Sequence, residues 1–134
     1  MGVATMTKAL KVLVVDDDPD IVAQLRAFMK EPNFKVRSAT NSPEAISQYE
    51  GIQPDIVFLD INLPGASGFV TLRKLRELDA YRLLKIVMLT SHTTREDVNT
   101  AKMYGADDYM AKPITKQALA HRLMRHFPDR FGKS

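Results

Sequence analysis

Val12-Leu13-Val14-Val15-Asp16-Asp17-Asp18-Pro19 is a short apolar run that ends in three acids and a proline. With Lys11 in front of it, the run is continuous, β-branched and too short for a helix, the pattern of a strand buried on both faces. Asp18 can cap a helix that Pro19 opens, because proline's fixed φ and missing N–H suit a first turn. Ile21, Val22, Leu25, Phe28 and Met29 then recur at helical spacing until Glu31-Pro32-Asn33 breaks the pattern. A buried strand followed at once by an amphipathic helix is the opening unit of a parallel sheet.

The same unit recurs outward along the chain. Phe34–Ala39 alternates as a strand with one less buried side, and Ser42-Pro43-Glu44 starts a helix expected to run to about Tyr49 or Glu50, with Gly51 at its end. Asp55–Leu59 is the most apolar strand, and Asn62-Leu63-Pro64-Gly65-Ala66-Ser67-Gly68 reads as a loop. Phe69, Leu72, Leu75 and Leu78 mark a third helix, and Lys85–Leu89 a fourth strand. Thr93 or Thr94 caps a fourth helix that runs to Tyr104 and is closed by Gly105. Asp108–Ala111 is a short fifth strand. Thr115 caps a last helix with Leu119, Leu123 and Phe127 on one face, ended by Pro128. Five βα units in series imply an α/β, doubly wound fold: a five-stranded parallel sheet with right-handed crossovers and helices on both faces.

Composition agrees with one ordinary globular domain: 134 residues, 45% hydrophobic and 26% charged. There is no cysteine, which excludes disulfides and thiolate metal sites. Three histidines without neighbouring ligands give no zinc site. No apolar run approaches the roughly 20 residues of a membrane span, and Met1–Thr7 lacks the regions of a signal peptide. A cytoplasmic protein is therefore expected. The net charge of +3 is concentrated in residues 112–134, where six lysines and arginines face Asp129 alone. Such a run reads as a solvated face rather than as the footprint of an acidic partner.

Five polar signals end or follow the predicted strands: Asp16-Asp17 after the first, Asp60 after Ile56-Val57-Phe58-Leu59, Thr90 after Ile86-Val87-Met88-Leu89, and Tyr109 and Lys112 in and after the fifth. In an open parallel sheet the carboxyl ends of the strands are where sites are built. Taken singly, each has a plain structural reading. The acids can cap turns, and Tyr109 can be a packed aromatic. Together, clustered acids, one hydroxyl and one lysine suit a hard cation and a phosphoryl group.

In these residues the chain resembles the receiver domain of two-component response regulators. The likeness rests on Val14-Val15-Asp16-Asp17-Asp18-Pro19, Asp55-Ile56-Val57-Phe58-Leu59-Asp60-Ile61-Asn62-Leu63-Pro64-Gly65, Met88-Leu89-Thr90-Ser91 and Gly105-Ala106-Asp107-Asp108-Tyr109-Met110-Ala111-Lys112-Pro113, in that order. It covers residues 9–127, leaving residues 1–8 as a flexible leader and 128–134 as a tail. It implies the flavodoxin-like strand order 2-1-3-4-5.

The resemblance also implies roles. Asp60 is the phosphoacceptor. Asp16, Asp17 and Asp60, with the backbone carbonyl of Asn62, hold Mg²⁺ or Mn²⁺. Thr90 and Lys112 contact the phosphoryl oxygens, and Thr90 and Tyr109 form the switch. Asn62 and His92 tune dephosphorylation, although a solvent histidine is an equally plain reading of His92. Lys112-Pro113 is a candidate cis peptide. Ile114 departs from the aromatic residue often found in the family.

The implied activity is acceptance of a phosphoryl group from a phosphohistidine, on a sensor histidine kinase or histidine phosphotransfer protein. The protein assists its own modification rather than acting as an enzyme on a separate substrate. Added charge of about −1.5 to −2 then biases a bistable element. The output is a downstream protein, or a phosphorylation-linked homodimer, met through the face of the fourth helix, fifth strand and fifth helix. Neither direct nucleic-acid binding nor a membrane is implied.

Three rivals share the fold class. A flavin-binding module needs a hydroxyl- and glycine-rich loop where Asp16-Asp17-Asp18 stands. An aspartyl phosphatase needs a second acid where Asn62 stands. A phosphorylation-independent receiver-like scaffold for protein–protein interaction needs none of the site.

Overall fold

The computed structural model describes residues 8–91 and 94–131. The strands are β1 (Leu10–Val15), β2 (Phe34–Ala39), β3 (Ile56–Asp60), β4 (Asn62–Leu63), β5 (Ala66–Ser67), β6 (Lys85–Thr90) and β7 (Asp108–Ala111). The helices are α1 (Pro19–Phe28), α2 (Ser42–Ile52), α3 (Gly68–Leu78), α4 (Arg95–Met103), α5 (Lys116–His126) and the short α6 (Pro128–Phe131). Five strands form one parallel sheet in the order β2-β1-β3-β6-β7. This is the expected 2-1-3-4-5 order, with the β4–β5 hairpin counted between the third and fourth strands.

Strand alternation sorts the core into two layers. Leu10, Val12, Val14, Phe58, Val87 and Leu89 pack on one side with Leu25 and Met29 of the α1 region and Leu119 and Leu123 of α5. Leu13, Val15, Val57, Leu59, Ile86 and Met88 pack on the other with Ala45, Leu72, Leu75 and Ala101 of α2, α3 and α4. Every residue of β3 is buried, as expected of a central strand covered by helices on both faces.

The caps fall where the sequence puts them. The side chains of Asp18, Thr94 and Thr115 accept from Asp20 N, Asp97 N and Ala118 N at the starts of α1, α4 and α5. Gly105 follows the cap of α4 at φ +100°.

Three segments differ from expectation. α2 continues through Gly51, and Gln53 takes the left-handed cap at φ 49°, donating to Tyr49 O before Pro54. The 62–68 loop contains the β4–β5 hairpin, with Leu63 paired to Ala66 around Pro64-Gly65. Gly65 at φ +76° supplies the positive φ that such a turn requires. Part of the expected tail, Pro128–Phe131, forms α6, whose Phe131 stacks on Phe34 at 5.6 Å between centroids.

Backbone bonds between strand ends fix the residues just beyond them. Asp16 N donates to Ala39 O at 3.0 Å, Ile61 N to Leu89 O at 3.1 Å and Lys112 N to Thr90 O at 2.7 Å. The chain just past β1, β3 and β7 is therefore locked to neighbouring strands at one end of the sheet.

Candidate functional site

At that end, Asp16 is 1% exposed, Asp60 4% and Thr90 2%, although all three are polar. Buried polar groups persist only where they are paired or used. Asp16 Oδ1 accepts from Asp18 N at 2.9 Å, which ties the acid to the start of α1. Asp60 Oδ1 accepts from Asn62 N at 3.3 Å. Lys112 Nζ enters between them, 2.8 Å from Asp16 Oδ2 and 3.4 Å from Asp60 Oδ1. The Lys112–Pro113 peptide is cis. Asp17 stands exposed at the mouth.

The electrostatics stem from this crowding. Burial, then the Asp16 charge, push the Asp60 carboxyl above the usual carboxylate range, against the pull of Lys112 and the Asn62 N–H. Burial alone would lower Lys112. The hydrogen bond and charge of Asp16, then those of Asp60, outweigh it and hold the ammonium above the usual lysine value.

Carboxylate oxygens of Asp16, Asp17 and Asp60 lie within 4.8 Å of one another. Asp16 Oδ2 is fully buried and lies 2.8 Å from the Lys112 ammonium. Three carboxylates faced by one ammonium leave a negative pocket of hard oxygen donors with a buried oxygen turned into it. That donor set fits a hard divalent cation such as Mg²⁺.

Tyr109 and Thr90 share a side-chain hydrogen bond. Burial, with Asp97 of α4, raises the Tyr109 phenol above its usual value despite that bond. The backbone around Tyr109 is held from α5: Arg122 Nη2 donates to Tyr109 O at 3.1 Å. Beside it, Asp108 collects Arg122, Arg125 and His126 at 3.6, 3.1 and 2.8 Å.

The structure thus brings Asp16, Asp17, Asp60, Thr90, Tyr109 and Lys112 together, with Asn62 adjoining Asp60. His92 lies outside the described residues. By sequence alone Gly68 is a loop former. A Cβ there would meet Asp60 O at 2.1 Å and Ile61 Cα at 2.7 Å, while Gly68 N donates to Ile61 O. The start of α3 can approach the end of β3 only because this residue has no side chain. The Asp108 cluster also escapes a reading of the sequence. The acidic pair Asp107-Asp108 before Tyr109 and the arginines of α5 are its only signals there.

A family model described as "Response regulator receiver domain" matches residues 12–124. The transcriptional regulatory protein TrcR of Mycobacterium tuberculosis is 35% identical over 114 residues, covering 85% of this chain and 44% of that protein. The chain spans about half the length of such curated relatives. Among solved structures, the chemotaxis protein CheY4 of Vibrio cholerae superposes with a TM-score of 0.83 at 28% identity, covering 89% of this chain and 99% of that one. The CheX–CheY–BeF3–Mg²⁺ complex from Borrelia burgdorferi gives 0.84 at 26% identity, covering 92% and 93%.

Proposed function

Because this chain belongs to the response regulator receiver domain family of two-component signalling, we propose that Asp60 accepts a phosphoryl group from a phosphohistidine on a sensor histidine kinase or phosphotransfer protein. The observation that carries this reading is the position of Lys112 Nζ, 2.8 Å from Asp16 and 3.4 Å from Asp60 in a pocket with surplus negative charge.

Asp16, Asp17 and Asp60, with the Asn62 carbonyl, would hold Mg²⁺, or Mn²⁺ in its place. Held there, such a cation would supply charge neutralisation for the phosphoryl oxygens. The solved Borrelia burgdorferi complex with BeF3 and Mg²⁺ supports this assignment by likeness. An Asp60 carboxylate oxygen attacks phosphorus in line, the P–N bond to the donor imidazole breaks, and the imidazole leaves with that electron pair. Lys112 turns from its acid partners to one phosphoryl oxygen, and the Thr90 hydroxyl donates to another. The chain's work is positioning and charge neutralisation upon itself, not turnover of a separate substrate. Asn62 and His92 would set the lifetime of the acyl phosphate.

Thr90 already shares a hydrogen bond with Tyr109. Recruiting its hydroxyl to the phosphoryl group breaks that bond and frees the ring to rotate. The Arg122 contact to Tyr109 O carries the change to α5. The face of α4, β7 and α5 then meets a downstream protein or a second copy. Among the described residues no helix is long and apolar enough to cross a membrane; we place the protein in the cytoplasm, where such kinases present their phosphohistidine.

The test is transfer from a phosphorylated histidine phosphotransfer protein in the presence of Mg²⁺. Label should move to the wild type and not to Asp60→Asn. Equal labelling of both would overturn the assignment of Asp60.

A further inference from the structure

At the opposite end of the sheet from Asp60, the loop between α3 and β6 turns its apolar side chains outward. Tyr81 is 84% exposed, Leu83 76% and Leu78 42%. Isolated exposed apolar residues are ordinary, but a contiguous set is not. Nor is this loop loosely held. The buried Asp79 carboxylate accepts from Leu83 N and Leu84 N, each at 3.2 Å, and pairs with Arg76 at 3.0 Å. Arg76 in turn donates to Gly105 O at 2.7 Å and Leu84 O at 2.6 Å. Arg82 is held at φ 54°, a left-handed conformation that is unfavourable for a residue with a Cβ. The framework therefore fixes a strained turn whose result is to present Tyr81 and Leu83 to solvent.

They border a groove of about 570 Å³ between the ends of α2 and α3, floored by Tyr49 and Pro54. Of its charged lining residues Asp79 is already paired with Arg76, which leaves Glu50 and Asp55, and no lysine or arginine lines it among the described residues. In a chain of net charge +3 that is a local reversal of sign. Arg82 belongs to a separate surface with Arg73 and Tyr104. Lys11, Lys35 and Arg37 gather with Ile52 in another. Two copies meeting groove to groove would bring Glu50 against Glu50, which a two-fold contact disfavours.

We propose that this groove docks a cationic, amphipathic segment of another protein, whose apolar side chains pack on Tyr81 and Leu83 and whose lysines or arginines face Glu50 and Asp55. The surface is separate from the phosphoacceptor pocket and from the α4–β7–α5 face, so it allows a partner to be held whatever the state of Asp60.

The probe is a synthetic 14-residue peptide with leucines at i, i+3, i+4, i+7 and lysines elsewhere, titrated into the ¹⁵N-labelled chain. A glutamate-for-lysine version is the control. The lysine peptide should shift the amides of Tyr49, Tyr81 and Leu83 saturably and leave those of Asp17 and Asp60 in place. Affinity should fall at least about tenfold in Tyr81→Ser/Leu83→Ser and in Glu50→Lys. These residues are exposed, so the variants should keep the wild-type fold. Shifts confined to the acidic Asp16–Asp17–Asp60 pocket, equal binding of the glutamate peptide, or undiminished binding by the variants would overturn the proposal. Concentration-dependent self-association without peptide, abolished by Tyr81→Ser/Leu83→Ser, would also overturn it by assigning the groove to a second copy.

Discussion

Lys112 Nζ lies closer to Asp16 than to Asp60, at 2.8 Å against 3.4 Å. The ammonium is thus the internal counter-ion of the acid pair. On the proposed function a divalent cation would share the pocket with it, and the phosphoryl group would need it. Lys112→Ala should separate these effects. Cation affinity should rise by roughly three- to tenfold, since a like charge leaves the pocket. Phosphorylation should slow by about a hundredfold or more, since a charge-stabilising donor is lost. Cation titration and a labelling time course read the two. Weaker cation binding in the variant contradicts the account.

Asp60 yields a pH prediction with an unusual sign for an acid. Its carboxyl is raised above the ordinary value of 3.8, by burial first and Asp16 second. A raised pKa means that ionising Asp60 costs the folded state more than the unfolded one. The group's contribution is most favourable below the unfolded pKa and is lost as pH rises through the folded pKa. Asp60→Asn should therefore stabilise the protein at neutral pH, and the gain should shrink as pH falls toward 3.8. Denaturant unfolding of both proteins across that range checks it. A gain that grows toward acid contradicts it. Added Mg²⁺ should stabilise the wild type more than the variant.

Asp108 behaves in the opposite way. Burial raises its carboxyl, but the hydrogen bonds of His126 and Tyr109 N and the charges of Arg122 and Arg125 outweigh burial and hold it below the ordinary range. Its stabilisation is present above the unfolded pKa and lost as pH falls through the folded pKa. Asp108→Asn should cost about 2 kcal/mol at neutral pH by leaving Arg122, Arg125 and His126 without their carboxylate acceptor. The difference should close in acid. Urea midpoints at neutral and acid pH measure it.

Gly68→Ala should be severe for so small a change. A Cβ at 2.1 Å from Asp60 O must push α3 away from β3. A cost of about 3 kcal/mol, the upper end for overpacking, is expected for a clash against backbone in a packed layer. Phosphorylation should slow as well, because the displaced strand end carries Asp60. An unchanged melting temperature would show that the segment yields freely.

The strands and helices were legible because period and burial coincide. β2 and β7 have the boundaries that alternation and length indicate, and the Asp18, Thr94 and Thr115 caps act as their residue types suggest. Asp16, Asp17, Asp60, Thr90 and Lys112 were legible because a parallel sheet forces strand ends together, so order alone implied proximity. Three things were not legible, each for a long-range reason. Gly51 looked like a helix end, yet Pro54 and the packing of Ile52 carried the left-handed cap to Gln53. Gly68 looked like a loop former, because a close approach to Asp60 leaves no trace in spacing. Arg76 falls outside the apolar pattern of Phe69, Leu72, Leu75 and Leu78 and carries no signal of its own, yet it bonds across the fold to Gly105 O, Leu84 O, Asp79 and Asp107.

Intact mass tests the central claim most directly. The chain is incubated with Mg²⁺ and a small-molecule phosphodonor, beside an Asp60→Ala control and a chelated sample. The account predicts a single phosphoryl adduct on the wild type, absent from the control and from the chelated sample. An adduct of the same yield on Asp60→Ala would contradict it, as would a wild type that stays unmodified with both this donor and a phosphohistidine donor.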